Sequence, residues 1–139
     1  MLRVEHLTKT YRTSHGPLNA LSEAAFEVHP GDFLVVKGAS GSGKSTLLLM
    51  LGGMLRPTQG RVLFNDTDVY APGARGRAAF RANTIGFVFQ MFHLAPYFNA
   101  VDNVLLAARN GSRAEDARAL LDELGLGGRA GHRPAELSA

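Results

Sequence analysis

Apolar residues near the start of the chain recur at alternate positions. LRVEHL (2–7) sets Leu2 and Val4 against Arg3 and Glu5, the period-two pattern of a half-buried strand. A turn-rich stretch, RTSHGP (12–17), follows. LSEAAFEV (21–28) then alternates until His29-Pro30-Gly31, which predicts a second strand entering a tight turn. The run Phe33 to Val36 is continuously apolar and ends on two β-branched residues, so it predicts a central strand covered on both faces. LLLMLGGML (47–55) is apolar all round, which predicts a short helix buried against a sheet and ended by Gly52-Gly53 and Pro57.

Beyond that point PTQG (57–60) reads as a turn, RVLFND (61–66) as a strand and GARGRAAFRAN (73–83) as a short basic helix. Ile85 to Phe89 is a second continuous apolar run and predicts a buried strand that emerges at the polar Gln90. Asn99 with Asp102, and Ser112 with Glu115, match the pattern of a capping side chain answered by an acid three residues on. They predict helices over 100–109 and 113–124. In the second, Ala114, Ala117, Leu120, Leu121 and Leu124 share a face and Gly125 supplies the stop. Strands interleave with helices up to Gln90 and a mostly helical segment follows, so the fold class is α/β.

Composition narrows the field. Of 139 residues 45% are hydrophobic and 19% charged, which suits a folded chain with a moderate core rather than a disordered one. The longest apolar run, Leu47 to Leu55, is about half of what a membrane-spanning helix needs and contains two glycines. MLRVEHLTKTY has no apolar stretch behind a basic start, so no secretory signal is expected. There is no cysteine, which excludes disulfides and thiolate metal sites. Net charge is +3, but the basic residues are scattered rather than gathered into a run, so no nucleic-acid partner is expected. His6, His15, His29, His93 and His132 are far apart and contain no i, i+4 pair of the kind a zinc site on one helix uses.

The chemistry gathers between the predicted central strand and the apolar helix. Gly38-Ala39-Ser40-Gly41-Ser42-Gly43-Lys44-Ser45 has two glycines separated by four residues and followed by Lys-Ser, the phosphate-binding loop pattern. Glycines at 38, 41 and 43 free the backbone for tight turns and let its N–H groups approach phosphate. A helix starting near Lys44 aims its amides and positive dipole end at the same anion. The Lys44 ammonium reaches β- and γ-phosphates, and the Ser45 hydroxyl, beside Thr46, is placed to ligate Mg²⁺. A plain glycine-rich turn accounts for the glycines but not for Lys-Ser behind them. The expected ligand is a nucleoside triphosphate.

Four separated motifs resemble the ATP-binding subunit of ABC transporters: KTYRT, GASGSGKST, IGFVFQ and ELSA. FVFQMFHLAPYFNAVDNV is most similar to the subgroup of lipoprotein-releasing and macrolide-efflux ATPases. The resemblance implies the ABC-type P-loop NTPase fold, incomplete here. A β-rich N-terminal part and a nucleotide-binding core would occupy 1–90, and the start of a helical subdomain 91–139. It implies ATP and Mg²⁺ as ligands. Tyr11 would stack on adenine, where the alternative is a packing tyrosine. Gly38, Ala39, Ser40, Gly41, Ser42, Gly43, Lys44, Ser45 and Thr46 would cradle the phosphates. Gln90, as the Q-loop residue, would bring an oxygen to Mg²⁺ and the attacking water, where the alternative is a strand cap. Ser138 would open the signature motif, although Ala139 stands where many members have glycine.

The family's Walker B aspartate, adjacent glutamate and switch histidine are not identifiable. Asp66, Asp68, Glu115, Asp116, Asp122 and Glu123 do not follow an apolar strand as that aspartate must. The resemblance therefore implies the N-terminal part of an ATPase, with little hydrolysis on its own. It also implies a transmembrane permease partner, a second nucleotide-binding subunit, and a peripheral position on the cytoplasmic face of the inner membrane. The alternative is a soluble ABC-type ATPase acting on nucleic acid or ribosomes. Against the repair-type members of that class, only a short segment without sustained heptads separates Gln90 from Leu137.

Overall fold

The computed structural model describes residues 1–108 and 112–137. They form two compact units, Met1–Phe87 and Val88–Ala139. In the first, β1 (Leu2–Thr13) and β2 (Gly16–Val28) make a long hairpin, α1 (Lys44–Leu51) follows, and β3 (Gln59–Phe64), β4 (Thr67–Asp68) and α2 (Gly73–Thr84) complete the unit. The strands lie in the order β2-β1-β3-β4, each pair antiparallel. Both hairpin strands run further than the alternation predicted. Thr13 pairs with Gly16, so only Ser14 and His15 are left to turn, and the Thr13 hydroxyl donates to the Gly16 carbonyl at 2.8 Å.

Val4 and Leu7 are three residues apart, which in a regular strand would put them on opposite faces. Both are nonetheless buried in one cluster with Val62 of β3, Leu47 and Met50 of α1, and Val69 and Tyr70. The register of β1 shifts between Val4 and Leu7, and His6 there has φ 44°. This bulge inserts one extra residue and returns Leu7 to the core face. Across from it, a Cβ on Gly60 would run into the carbonyl oxygens of Glu5 and His6, and Gly60 has φ 81°. Only glycine lets β3 lie this close to the bulge.

The two continuous apolar runs depart from expectation. Neither Phe33 to Val36 nor Ile85 to Phe89 is a strand of the sheet. Phe33 is 93% exposed and Val88 99%. Along the second run Ile85 and Phe87 are half-buried while Gly86 and Val88 are exposed, so it is covered on one side only. A continuous apolar run records a capacity for burial on two faces. Whether two layers are there to cover it is a tertiary matter.

In the second unit, α3 (Ala100–Ala107) and α4 (Ala114–Glu123) pack through Val101, Ala117 and Leu121. Asn99 caps α3, its side-chain oxygen accepting from the Asp102 amide at 2.9 Å. The expected Ser112 cap of α4 is displaced by one residue. The cap position is Arg113, whose backbone N–H donates to the Asp116 carboxylate at 2.8 Å, so Asp116 and not Glu115 takes the answering place. At the other end the Leu126 amide donates to the Leu121 carbonyl and the Gly125 amide to that of Asp122, the paired bonds of a glycine-terminated helix. Of the five apolar positions predicted on one face of α4, Ala117 and Leu121 are buried. Leu120 and Leu124 remain 45% and 65% exposed.

Candidate functional site

The loop after Lys37 turns through two left-handed glycines, Gly41 at φ 78° and Gly43 at φ 86°, and Gly43 is the N-cap of α1. A Cβ on Gly43 would collide with the backbone carbonyl oxygen of Ala20 in β2. Glycine is thus required there by close approach of the hairpin as well as by backbone angle. The loop and the hairpin together border an open cavity of about 170 Å³, lined by Ala20, Gly41, Ser42, Gly43, Lys44, Ser45 and Thr46. None of these is acidic.

α1 supplies the electrostatics. Gly43 has no side chain to cap it, and no acidic residue lies in the first turn. The leading amides of a helix have no acceptor within it, so they and the positive dipole end face the cavity without a compensating carboxylate. Lys44 adds a full charge. Its ammonium donates to the carbonyls of Gly38 at 2.9 Å and Ala39 at 2.6 Å, and to the Ser42 hydroxyl at 3.4 Å. The loop folds back over its own lysine and fixes the ammonium at the cavity's edge.

The structure brings the hairpin to this loop, which no local pattern indicated. Tyr11 is opposite Leu18 in the β1–β2 register, and Leu18 is two residues, about 7 Å of strand, from the cavity-lining Ala20. Tyr11 is 37% exposed, with the Lys9 ammonium 5.2 Å from its ring centroid. Gln90 is exposed at a bend in the second unit, not at the exit of a buried strand as expected. Ser138 lies outside the described residues. Sequence reasoning missed Ala20, whose carbonyl approach to Gly43 depends on how the hairpin packs.

Comparison with known proteins settles the family. Residues 21–139 match the family described as ABC transporter. The chain belongs to the ABC transporter family. Among curated ABC relatives it is 45% identical to the lipoprotein-releasing system ATP-binding protein LolD 1 of Rhodopirellula baltica, over 99% of this chain and 62% of that protein. It is 41% identical to the LolD protein of Geobacter metallireducens, over 99% of this chain and 64% of the relative. The chain thus spans less than two thirds of the length of the curated relatives it matches. A solved dimeric ATP-binding cassette in a post-hydrolysis state with ADP and Pi superposes with a TM-score of 0.87 at 33% identity, covering 99% of this chain and 63% of that one. A second dimeric ABC cassette gives 0.88 at 32% identity, covering 100% of this chain and 64% of its own. The ABC cassette fold is therefore the fold of this chain, in part.

Proposed function

We propose that this chain holds MgATP at the start of α1 and is the nucleotide-binding part of a transporter's ATP-hydrolysing subunit. The observation that carries the reading is the acid-free cavity where Lys44, two left-handed glycines and the uncapped N-terminus of α1 converge. The residues present fit a triphosphate with its metal. The polar side chains lining the cavity are the Lys44 ammonium and the hydroxyls of Ser42, Ser45 and Thr46, and a Cβ built on Gly41 meets nothing within 4 Å, so that side of the loop is open to a ligand.

Within this reading Gly38 to Thr46 cradle the phosphates, Lys44 neutralises their charge and Tyr11 stacks on the adenine. Ser45 would hold Mg²⁺, which when bound would draw charge from the phosphate oxygens, and Gln90 keeps the Q-loop role that the family resemblance gives it. Ser138 completes a site across a dimer. Residues 1–90 form the nucleotide-binding core and 91–139 begin the helical subdomain. The names of the LolD relatives favour lipoprotein release, and in this reading the subunit works with a transmembrane permease from the cytoplasmic face of the inner membrane. The dimeric cassettes favour a second nucleotide-binding subunit. No helix among the described residues is long and apolar enough to cross a membrane.

Lys44→Ala in the full polypeptide tests the reading by calorimetry. MgATP affinity is expected to fall about 10- to 100-fold, the range of a lost hydrogen bond to a charged group. Unchanged affinity would overturn the phosphate-loop assignment.

A further inference from the structure

The far end of α1 is held as deliberately as its start. The Tyr70 hydroxyl lies 2.6 Å from the Met50 carbonyl and 2.7 Å from that of Leu55, so its single proton is shared between two acceptors. Two cations complete the arrangement. An Arg81 guanidinium N–H donates to the Gly53 carbonyl at 3.1 Å, and the Lys9 ammonium to that of Arg56 at 2.8 Å. Side chains from three other parts of the unit thus meet carbonyls at and just beyond the end of a helix that has no basic residue in its own last turn.

The composition of α1 explains why such a device is needed. Leu47, Leu48, Leu49, Met50 and Leu51 are apolar all round, yet only Leu47 and Met50 are buried and Leu48 is 50% exposed. Turning the helix by one residue's rotation would exchange one leucine for another at little cost in apolar burial. Burial of leucines alone therefore selects the rotation of α1 only weakly, whereas directional hydrogen bonds to its terminal carbonyls add a sharp preference. Tyr70 is 5% exposed, and burial pushes its hydroxyl up to about 12, so it remains a donor through the neutral range.

We propose that Tyr70, assisted by Arg81 and Lys9, is a positioning residue that sets the rotation and tilt of α1 and thereby the aim of Lys44 and Ser45. This rests on the phosphate-loop reading for its functional consequence. The lever is about 12 Å long, eight residues at 1.5 Å each. A small change of tilt at Met50 therefore displaces the loop where phosphate contacts demand close placement.

Tyr70→Phe in the full polypeptide keeps the ring and removes only the donor. Two readouts are compared with the unaltered protein: MgATP affinity, and amide hydrogen exchange without nucleotide at the loop's bonded amides, Ser42 and Leu47, which donate to the Ala39 and Gly43 carbonyls, against the ladder amides of Val4 and Val62. Affinity is expected to fall, and loop exchange to accelerate, by about three- to tenfold, the factor one ordinary hydrogen bond carries. The ladder is expected to remain within about twofold, since its bonds are untouched. Equal acceleration in loop and ladder, or no change in the loop, overturns the proposal. Should Tyr70→Phe fail to fold, Arg81→Gln carries the same two readouts with the same expected pattern and the same overturning results. Lys44→Ala separates the two ideas. If it leaves MgATP binding intact, the phosphate-loop reading falls, and nucleotide-free loop exchange still decides the role of Tyr70.

Discussion

Lys44 and Tyr11 are separated by more than thirty residues, and the proposal that both serve one site rests on opposite kinds of information. Lys44 is tied to its loop by local spacing, because the residues it contacts are Gly38, Ala39 and Ser42. Tyr11 is tied to the loop only through the hairpin register, its strand partner Leu18 being two residues from Ala20. The ring is partly exposed, with one cation already near it. In the adenine-stacking reading, Tyr11→Ala in the full polypeptide weakens adenine nucleotides by about 1–3 kcal/mol, the worth of one stacked base. Inorganic triphosphate, which has no base, is expected to bind nearly as before. Equal losses for both ligands, measured by titration, would make Tyr11 a packing residue.

At the level of elements, the bulge in β1 decides which residues reach the core. Apolar alternation places Leu2 and Val4 on one face but leaves Leu7 out of phase, and the extra residue at His6 corrects it. The neighbouring strand conforms through Gly60. Gly60→Ala combines a left-handed φ with a clash against Glu5 and His6 backbone, and is expected to cost about 1–3 kcal/mol in urea unfolding of the full polypeptide. Gly131→Ala, where a Cβ meets nothing within 4 Å, is the control and should change stability by less than about 0.5 kcal/mol. Similar losses at both positions would remove the bulge from the explanation. Helix ends follow the same logic of local satisfaction. Asn99 was legible as a cap because its acceptor oxygen is the obvious answer to a free amide. Arg113 was not, because there the backbone donates to Asp116 and no capping side chain is involved.

For the chain as a whole, apolar surface is the unresolved tension. Phe33, Leu34, Val35 and Val88 are all more than half exposed, and such residues favour contact with whatever apolar surface is nearest. A polypeptide of residues 1–139 is therefore expected to self-associate with rising concentration in sedimentation velocity, and Phe33→Asp to reduce that association. A sharp monomer boundary at all concentrations would show that these residues are covered in solution. Substitution with a charge, and not merely a smaller apolar group, is the informative change, because it removes the drive to bury the site.

The amino-acid sequence by itself determined the loop from Gly38 to Ser45, the helix behind it, the presence of two N-terminal strands and the two C-terminal helices. Each depends on residues within a few positions of one another: a left-handed glycine, a cap, a 3.6-residue stripe, a turn. Tertiary structure alone decided the partners. It set the register that returns Leu7 to the core, the approach of the Ala20 carbonyl that makes Gly43 obligatory, and the reach of Tyr70 to the end of α1. It also left Phe33 to Val36 and Ile85 to Phe89 outside the sheet. Periodicity states which face of an element is apolar, but the identity of the surface that meets it is a property of residues distant in the chain.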